Sequence, residues 1–98
     1  MVKVNIKSNN GDVTYIKVSG HAGYAKRGKD LVCAGVSAIM YGLLNALDGK
    51  PCKCTLEEDI IVEVLKHDQD VQRYLELAIT QLETIAESYS QNVKIVKE

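Results

Sequence analysis

The stretch of sequence that decides the fold is residues 19–37, Ser-Gly-His-Ala-Gly-Tyr-Ala-Lys-Arg-Gly-Lys-Asp-Leu-Val-Cys-Ala-Gly-Val-Ser. A segment rich in β-branched residues precedes it and an uncharged apolar segment follows, so a strand ends here and a helix begins. The glycine-rich basic loop between them separates His21, at the strand end, from Cys33, in the first turn of the helix. A helix N-terminus and a neighbouring imidazole both favour a reactive thiolate. The stretch therefore predicts a strand-to-helix connection that carries a thiol nucleophile.

The hydrophobic periodicity on either side of this stretch predicts a ββαββαβ order. Apolar and polar residues alternate from Val2 to Lys7, and turn residues at 8–12 lead into a second strand, which indicates a hairpin. The order favours an α+β fold, with a mixed or mainly antiparallel sheet and two helices packed on it. The predicted elements are strands at 2–7 and 13–19, a helix from Asp30 to Asp48, strands at 52–56 and 60–65, a helix opened by Asp68 or Asp70, and a last strand at 92–95.

Length and composition limit the possible functions. At 98 residues, with 46% hydrophobic and 26% charged side chains, the chain is expected to form one domain over residues 1–98. Twelve basic and thirteen acidic residues leave a net charge of −1, so no direct nucleic-acid binding is expected. The first residues contain no apolar run of signal-peptide length, and the three cysteines are an odd number. Both facts favour reduced thiols in the cytoplasm.

The uncharged segment from Leu31 to Leu47 approaches the length of a membrane span. Acidic residues bound it at both ends, glycine, serine and asparagine dilute its apolar character, and no basic flank sets an orientation, so no membrane contact is expected. A helix that is apolar on all sides is usually buried on several of them. A chain of 98 residues has few other elements that could cover such a helix. We therefore expect a second copy of the chain to cover part of it, in a homodimer.

The candidate catalytic residues lie at the two ends of the loop. Cys33 is the candidate nucleophile and His21 its candidate general base. Asp30 can either cap the helix or orient the His21 ring, and Ser37, about one helical turn after Cys33, lies on the same helix face. The backbone N–H groups of Cys33 and Ala34 are candidate oxyanion donors, because they lie at the helix N-terminus.

The loop over residues 22–29 is a candidate lid. Glycines near both of its ends give backbone freedom and few apolar side chains anchor it, which is typical of lids over active sites. A basic loop is usually only solvated, but this one lies beside the candidate nucleophile and can contact a substrate. The candidate substrate-contacting residues are Gly23, Tyr24, Lys26, Arg27 and Gly28.

The remaining cysteines and the second histidine are given no catalytic role. Cys52 and Cys54 alternate on one strand, where core packing is the expected role. With Cys33 and His21 they form an alternative set of zinc ligands, but their spacing does not match the common structural modules. We therefore expect no metal site and no cofactor. His67, before the second helix, is expected to be a surface residue.

The residues around the loop resemble the signature of the ribosomal-processing cysteine protease family, Prp. The resemblance rests on Gly-His-Ala at 20–22, a short glycine-containing loop, and the run from Asp30 to Ser37, Asp-Leu-Val-Cys-Ala-Gly-Val-Ser. The element order and the length also agree, so it covers essentially the whole chain. It implies that Cys33 is the nucleophile and His21 its general base, with Asp30 and Ser37 in supporting positions.

The resemblance also implies a substrate. The family removes a short N-terminal extension from bacterial large-subunit ribosomal protein twenty-seven and cuts after paired aromatic residues. Its members are dimers, the loop covers the substrate, and the acyl-transfer chemistry requires no cofactor. This chain has no Phe and no Trp, so apolar contacts with the substrate fall to Tyr24, Met40, Tyr41 and aliphatic side chains.

Two alternatives without catalysis remain open. In the first, the chain is a ribosome-associated binding module whose basic loop grips a phosphate backbone, although it lacks a basic stripe and stacking aromatics. In the second, the chain is an oligomerisation scaffold and Cys33 is a buried structural thiol, which would react slowly with alkylating agents.

Overall fold

Five strands and two helices make up the computed structural model, which describes residues 1–26 and 28–98. Their order along the chain confirms the predicted ββαββαβ arrangement. The elements are β1 (Val2–Asn9), β2 (Asp12–Ser19), α1 (Leu31–Ala46), β3 (Cys52–Leu56), β4 (Ile60–Val64), α2 (Gln69–Ser88) and β5 (Val93–Lys97).

The sheet is mixed, with the strand order β3-β4-β2-β1-β5. β5 runs parallel to β1, and the other neighbouring pairs are antiparallel. In the central pair, Val4 lies opposite Val18 and Ile6 lies opposite Ile16, so the buried side chains of both strands share one face of the sheet. Buried residues of both helices complete a core on that face, which confirms the expected α+β fold.

The β1–β2 hairpin is tighter than the turn predicted at residues 8–12. Asn9 pairs with Asp12, and the two residues between them, Asn10 and Gly11, have φ angles of 52° and 83°. Two consecutive positive φ angles are typical of a type I′ turn, for which Asn-Gly is a favoured sequence. A type I′ turn matches the twist of the two strands that it joins. The polar residues on either side of Asn10 and Gly11 therefore belong to the strands and not to the turn.

Helix α1 is capped by Asp30, as predicted, but it ends at Ala46, two residues before Asp48. It buries a single stripe of side chains, so this chain alone leaves much of the helix uncovered, as expected. Its opposite face is exposed, with Leu31 72% and Tyr41 49% accessible. In the part of the chain that the structure describes, neither helix is long and apolar enough to cross a membrane. The buried stripe consists of Val32, Val36, Met40 and Leu43.

Gln72 is a buried polar residue on α2 that sequence patterns did not single out. Its Oε1 accepts the N–H of Val13 at 2.8 Å, and its Nε2 donates to the carbonyl of Val13 at 2.9 Å. The side chain thus satisfies both backbone groups of a residue near the start of β2. Asp68 caps the start of α2, and Gln72 lies one turn further along the helix. The Gln72 side-chain amide therefore connects the first turns of α2 to the β1–β2 hairpin.

We expect Gln72→Ala to lower the free energy of unfolding by about 1–3 kcal/mol, because it leaves partly buried backbone groups of Val13 without partners. Urea denaturation followed by circular dichroism measures the loss. The matched control is Glu76→Ala at an exposed position of the same helix, which should stay within about 0.5 kcal/mol of the parent. Equal stabilities for the two variants would contradict the assigned role.

Candidate active site

The turn at Gly20 brings the end of β2 against the start of β1. Gly20 has a φ of 83°, and a Cβ atom at this position would lie 2.2 Å from the carbonyl oxygen of Met1. No larger residue fits there, because the contact is with backbone that cannot rotate away. His21 follows immediately and its side chain is exposed. The orientation of His21 therefore depends on a turn that only glycine allows.

Cys33 occupies the third position of α1 and is half-buried. The N–H of Ala22, in the segment that carries His21, donates to the Cys33 Sγ at 3.1 Å. A hydrogen bond to sulfur favours its anionic form, and so does the positive end of a helix dipole. The fold therefore supplies two features that suit a thiolate at this position.

The Asp30 carboxylate caps α1 and holds the loop at the same time. Its Oδ1 accepts the N–H of Cys33 at 3.0 Å, and its Oδ2 accepts the N–H groups of Tyr24 at 3.0 Å and Ala25 at 3.3 Å. The hydrogen bond from Cys33 is the main reason why the pKa of Asp30 lies below its usual value. Among the described residues, no hydrogen bond joins this carboxylate to the His21 ring, so of the two predicted roles the structure supports the cap.

The expectation that the Cys33 and Ala34 amides form an oxyanion hole is not supported by the geometry. The Cys33 N–H donates to the Asp30 side chain, and the Ala34 N–H donates to the Asp30 carbonyl at 3.0 Å. Both amides are already used to begin the helix. The Ala22 amide, which sequence reasoning did not consider, is instead the one directed at the sulfur.

Two cavities meet at Cys33. One, of about 450 Å³, lies on the loop side, and the other, of about 550 Å³, lies on the sheet side. Both include His21, Cys33 and Ser37, so the structure brings these three predicted residues to one cleft. The loop-side cavity is also lined by Gly23, Ala25, Gly28, Asp30 and Ala34, and the sheet-side cavity by Val2, Val18, Gly20, Val36, Tyr41, Leu56, Glu57, Glu58 and Ile60.

The predicted lid is more firmly held than its glycines indicated. Ala22 is buried rather than part of a free loop, and the Tyr24 ring makes an edge-to-face contact with Tyr89 at 5.4 Å between centroids. Lys26 is exposed, its carbonyl accepts the N–H of Lys29 at 2.9 Å, and Arg27 lies outside the described residues. The candidate lid is therefore a loop with fixed ends.

Two apolar residues predicted to recognise substrate lie in different environments in the structure. Tyr41 is exposed and lines the sheet-side cavity. Met40 is fully buried in the core, so its expected contact with substrate is wrong. The two residues are neighbours on α1, but a step of one residue along a helix turns the side chain by about 100°.

Cys52 and Cys54 lie on the edge strand β3, outside the cleft that contains Cys33. Cys52 packs against the core, as predicted, whereas Cys54 is exposed, because neither helix covers this edge of the sheet. Partial burial raises the pKa of both thiols. Within the described residues, no group of three metal-ligating side chains forms, so the alternative zinc ligands are not brought together.

A cysteine at a helix N-terminus, with a histidine at the same cleft, defines the class of cysteine hydrolases. Residues 1–94 match the family model described as "Cysteine protease Prp". The ribosomal processing cysteine protease Prp of Staphylococcus aureus is 32% identical to this chain, and that of Bacillus subtilis is 30% identical. Each alignment covers 97% of this chain, with 97% and 96% of the respective relatives. The chain therefore belongs to the Prp family of cysteine proteases.

Solved structures agree with this assignment. The Staphylococcus aureus Prp in complex with a covalently linked product peptide superposes with a TM-score of 0.92, at 28% identity and with full coverage of both chains. The same protease in complex with a substrate peptide superposes with a TM-score of 0.84 at 27% identity. Membership of this family makes the chain an enzyme and sets aside the binding-module and scaffold alternatives.

Mutation can separate the roles of the two Asp30 carboxylate oxygens. Asp30→Asn keeps an oxygen for the helix cap but presents an NH₂ group to the Tyr24 and Ala25 amides, whereas Asp30→Ala removes both functions. In amide hydrogen exchange, we expect Tyr24 and Ala25 to exchange faster in both variants and Cys33 to exchange faster only in Asp30→Ala. Protection of Cys33 that is lost equally in both variants would contradict this division.

The same carboxylate predicts how stability changes with pH. Because the folded-state pKa of Asp30 is depressed, its contribution to stability is complete above the unfolded-state value of about 4 and is lost as the pH falls through the folded-state value. The difference in the free energy of unfolding between the wild type and Asp30→Asn should therefore decrease as the pH falls. Denaturant titrations between neutral pH and pH 3 measure it, and a constant difference would show that the Asp30 charge is irrelevant.

Proposed function

We propose that residues 1–98 form one cysteine endopeptidase domain that removes the N-terminal extension of bacterial large-subunit ribosomal protein twenty-seven. The observation that carries the proposal is the cleft that both His21 and Cys33 line, with an amide donor on the Cys33 sulfur. Relatives at 30% and 32% identity are ribosomal processing proteases, which supports a substrate of this class. The expected location is the cytoplasm, where ribosomes assemble.

The proposed reaction is acyl transfer through a cysteine and histidine dyad. His21 takes the proton from the Cys33 thiol, and the thiolate attacks the carbonyl carbon of the scissile peptide bond. The tetrahedral intermediate collapses, the C–N bond breaks, and the His21 imidazolium protonates the leaving amine. A water molecule, deprotonated by His21, then hydrolyses the thioester and regenerates the thiol. No cofactor is needed at any step.

The shape of the cleft suits a peptide that crosses Cys33. A segment lying over both cavities places its scissile bond at the sulfur, with side chains on either side. The sheet-side cavity combines aliphatic side chains and the Tyr41 ring with the carboxylates of Glu57 and Glu58, and this mixed lining suits a large side chain that has both apolar and polar parts. The loop-side cavity is bordered by the candidate lid, which we propose covers the bound peptide. Ser37 and Asp30 are the proposed supporting residues.

Cys33→Ala and Cys33→Ser should abolish cleavage of an extended ribosomal-protein peptide, because each removes the nucleophile. His21→Ala should lower turnover by about 10²- to 10⁴-fold, the usual effect of removing a general base. Mass spectrometry of the peptide products measures both effects. The matched control is Cys54→Ala, which removes an exposed thiol outside the cleft and should keep most of the activity.

The two parts of this proposal fail separately. Cleavage that persists in Cys33→Ala would contradict the thiol mechanism. Cys33-dependent cleavage of other peptides, with the ribosomal precursor left intact, would contradict the proposed substrate and leave the mechanism standing.

We also propose a homodimer, formed through the surface next to the exposed face of α1. A groove of about 360 Å³ between α1 and α2 is lined mainly by apolar and small residues, and its rim includes Leu77, which is 59% exposed. Burial of such a surface against a second copy would remove apolar area from water. The lining residues are Ala38, Ile39, Gly42, Leu43, Ala46, Tyr74, Leu77, Ala78 and Gln81.

Sedimentation equilibrium at micromolar concentration should show a dimer for the wild type. Leu77→Lys should weaken it at least tenfold, because a charge then enters an apolar contact. Leu65→Lys changes an equally exposed leucine away from the groove and should have no effect. A wild type that sediments only as a monomer would contradict the dimer, and equal effects of the two variants would contradict its location.

A further inference from the structure

Asn92, in the connection between α2 and β5, is fixed by its own backbone. Its N–H donates to the carbonyl of Tyr89 at 2.9 Å, and its carbonyl accepts the N–H of Val2 at 2.8 Å. The residue is thus tied to the end of α2 and to the start of β1. From this position its side-chain Nδ2 donates to the carbonyl of Ala22 at 2.9 Å.

Ala22, which this contact reaches, is constrained on every side. Its methyl group is buried, its N–H donates to the Cys33 Sγ at 3.1 Å, and its carbonyl accepts from Asn92. On the other side of His21, Gly20 lies tight against the carbonyl of Met1. The segment that carries His21 is therefore held at both ends, by the glycine contact before it and by the Asn92 contact after it.

We propose that Asn92 is a positioning residue for the nucleophile, which keeps the Ala22 N–H directed at the Cys33 Sγ by holding the Ala22 carbonyl. The proposal rests on the proposed role of Cys33 as the nucleophile. Among the hydrogen bonds of the described residues, none joins Asn92 to the sulfur directly, so Asn92 acts through Ala22. A hydrogen bond that a fixed N–H donates to sulfur stabilises the thiolate over the thiol.

The other amides near Cys33 leave few substitutes for the Ala22 N–H. The N–H groups of Cys33 and Ala34 are both used by Asp30. If the Asn92 contact is lost, the Ala22 carbonyl must find another donor and its peptide groups are free to rotate. The hydrogen bond to the Cys33 sulfur is then weakened. Among the described residues, no second amide is directed at this sulfur.

The test measures the alkylation rate of Cys33 by iodoacetamide between pH 5 and pH 11 in the full chain. Asn92→Ala removes the donor, and Asn92→Leu removes it while it keeps a side chain of similar size and adds no charge. Mass spectrometry follows Cys33, and exposed Cys54 in the same sample is the internal reference. A weaker hydrogen bond lowers the thiolate fraction but raises the reactivity of each thiolate, so the expected rate at pH 7 is about three- to tenfold slower.

The pH profile distinguishes positioning from general loosening. In both Asn92 variants the Cys33 profile should shift to higher pH and should meet or exceed the wild-type rate at the alkaline end. A loosened fold would instead expose the sulfur and speed its alkylation at every pH. Peptide cleavage should show a lower kcat with an unchanged KM, because Asn92 is not among the residues that line the two cavities.

Gln72→Ala is the matched control, because it also removes an amide that binds a distant backbone carbonyl, but away from the cleft. It should leave the Cys33 profile unchanged. The proposal is overturned if the profile is unchanged in the Asn92 variants, if it rises at every pH, or if Gln72→Ala shifts it equally. If Asn92→Ala does not fold, Asn92→Leu decides.

Alkylation needs no peptide substrate, so the positioning proposal and the proposed function can be tested apart. Cleavage that persists in Cys33→Ala would overturn the proposed function whatever the alkylation rates. A wild-type profile in the Asn92 variants, together with an inactive Cys33→Ala, would overturn the positioning role alone.

Discussion

The hydrogen bonds of the Asp30 carboxylate are the interaction on which the rest of the candidate active site depends. One oxygen receives the Cys33 N–H and begins α1, while the other receives the Tyr24 and Ala25 amides and folds the loop back toward the helix. The path of the loop and the start of the helix are therefore set by one ionised side chain. Because these hydrogen bonds depress its pKa, the carboxylate stays charged to a lower pH than an ordinary aspartate does.

The cleft is built from regular elements, with the loop serving mainly to connect them. Cys33 belongs to α1, whose buried stripe packs into the core, and His21 follows β2, whose side chains pack in the same core. The position of the sulfur therefore depends on the packed helix more than on the loop. A site on packed elements holds its geometry better than one carried by loops, because packing locks the backbone on which it stands.

Much of the fold could be predicted because its signals are local. Alternation over β1, the aspartate caps of both helices and the Asn-Gly turn each act within a few residues. The errors fall where a distant partner decides. Cys54 has the pattern of a buried strand residue, but no helix covers its edge of the sheet. Met40 lies beside Tyr41, which is exposed and lines the sheet-side cavity, but packing turns Met40 into the core. Neither outcome is encoded within the few residues around it.

By itself the sequence determined the element order, the nucleophile and histidine candidates, and the glycine that the turn before His21 requires. These follow from periodicity, from capping chemistry and from residue types that few positions tolerate. Only the tertiary structure decided which amide faces the sulfur and which residue holds that amide. Asn92 and Ala22 are 70 positions apart, and their hydrogen bond exists because β5 pairs with β1 beside the turn at Gly20. A contact of this kind has no local pattern, since it depends on which surfaces the folded chain brings together.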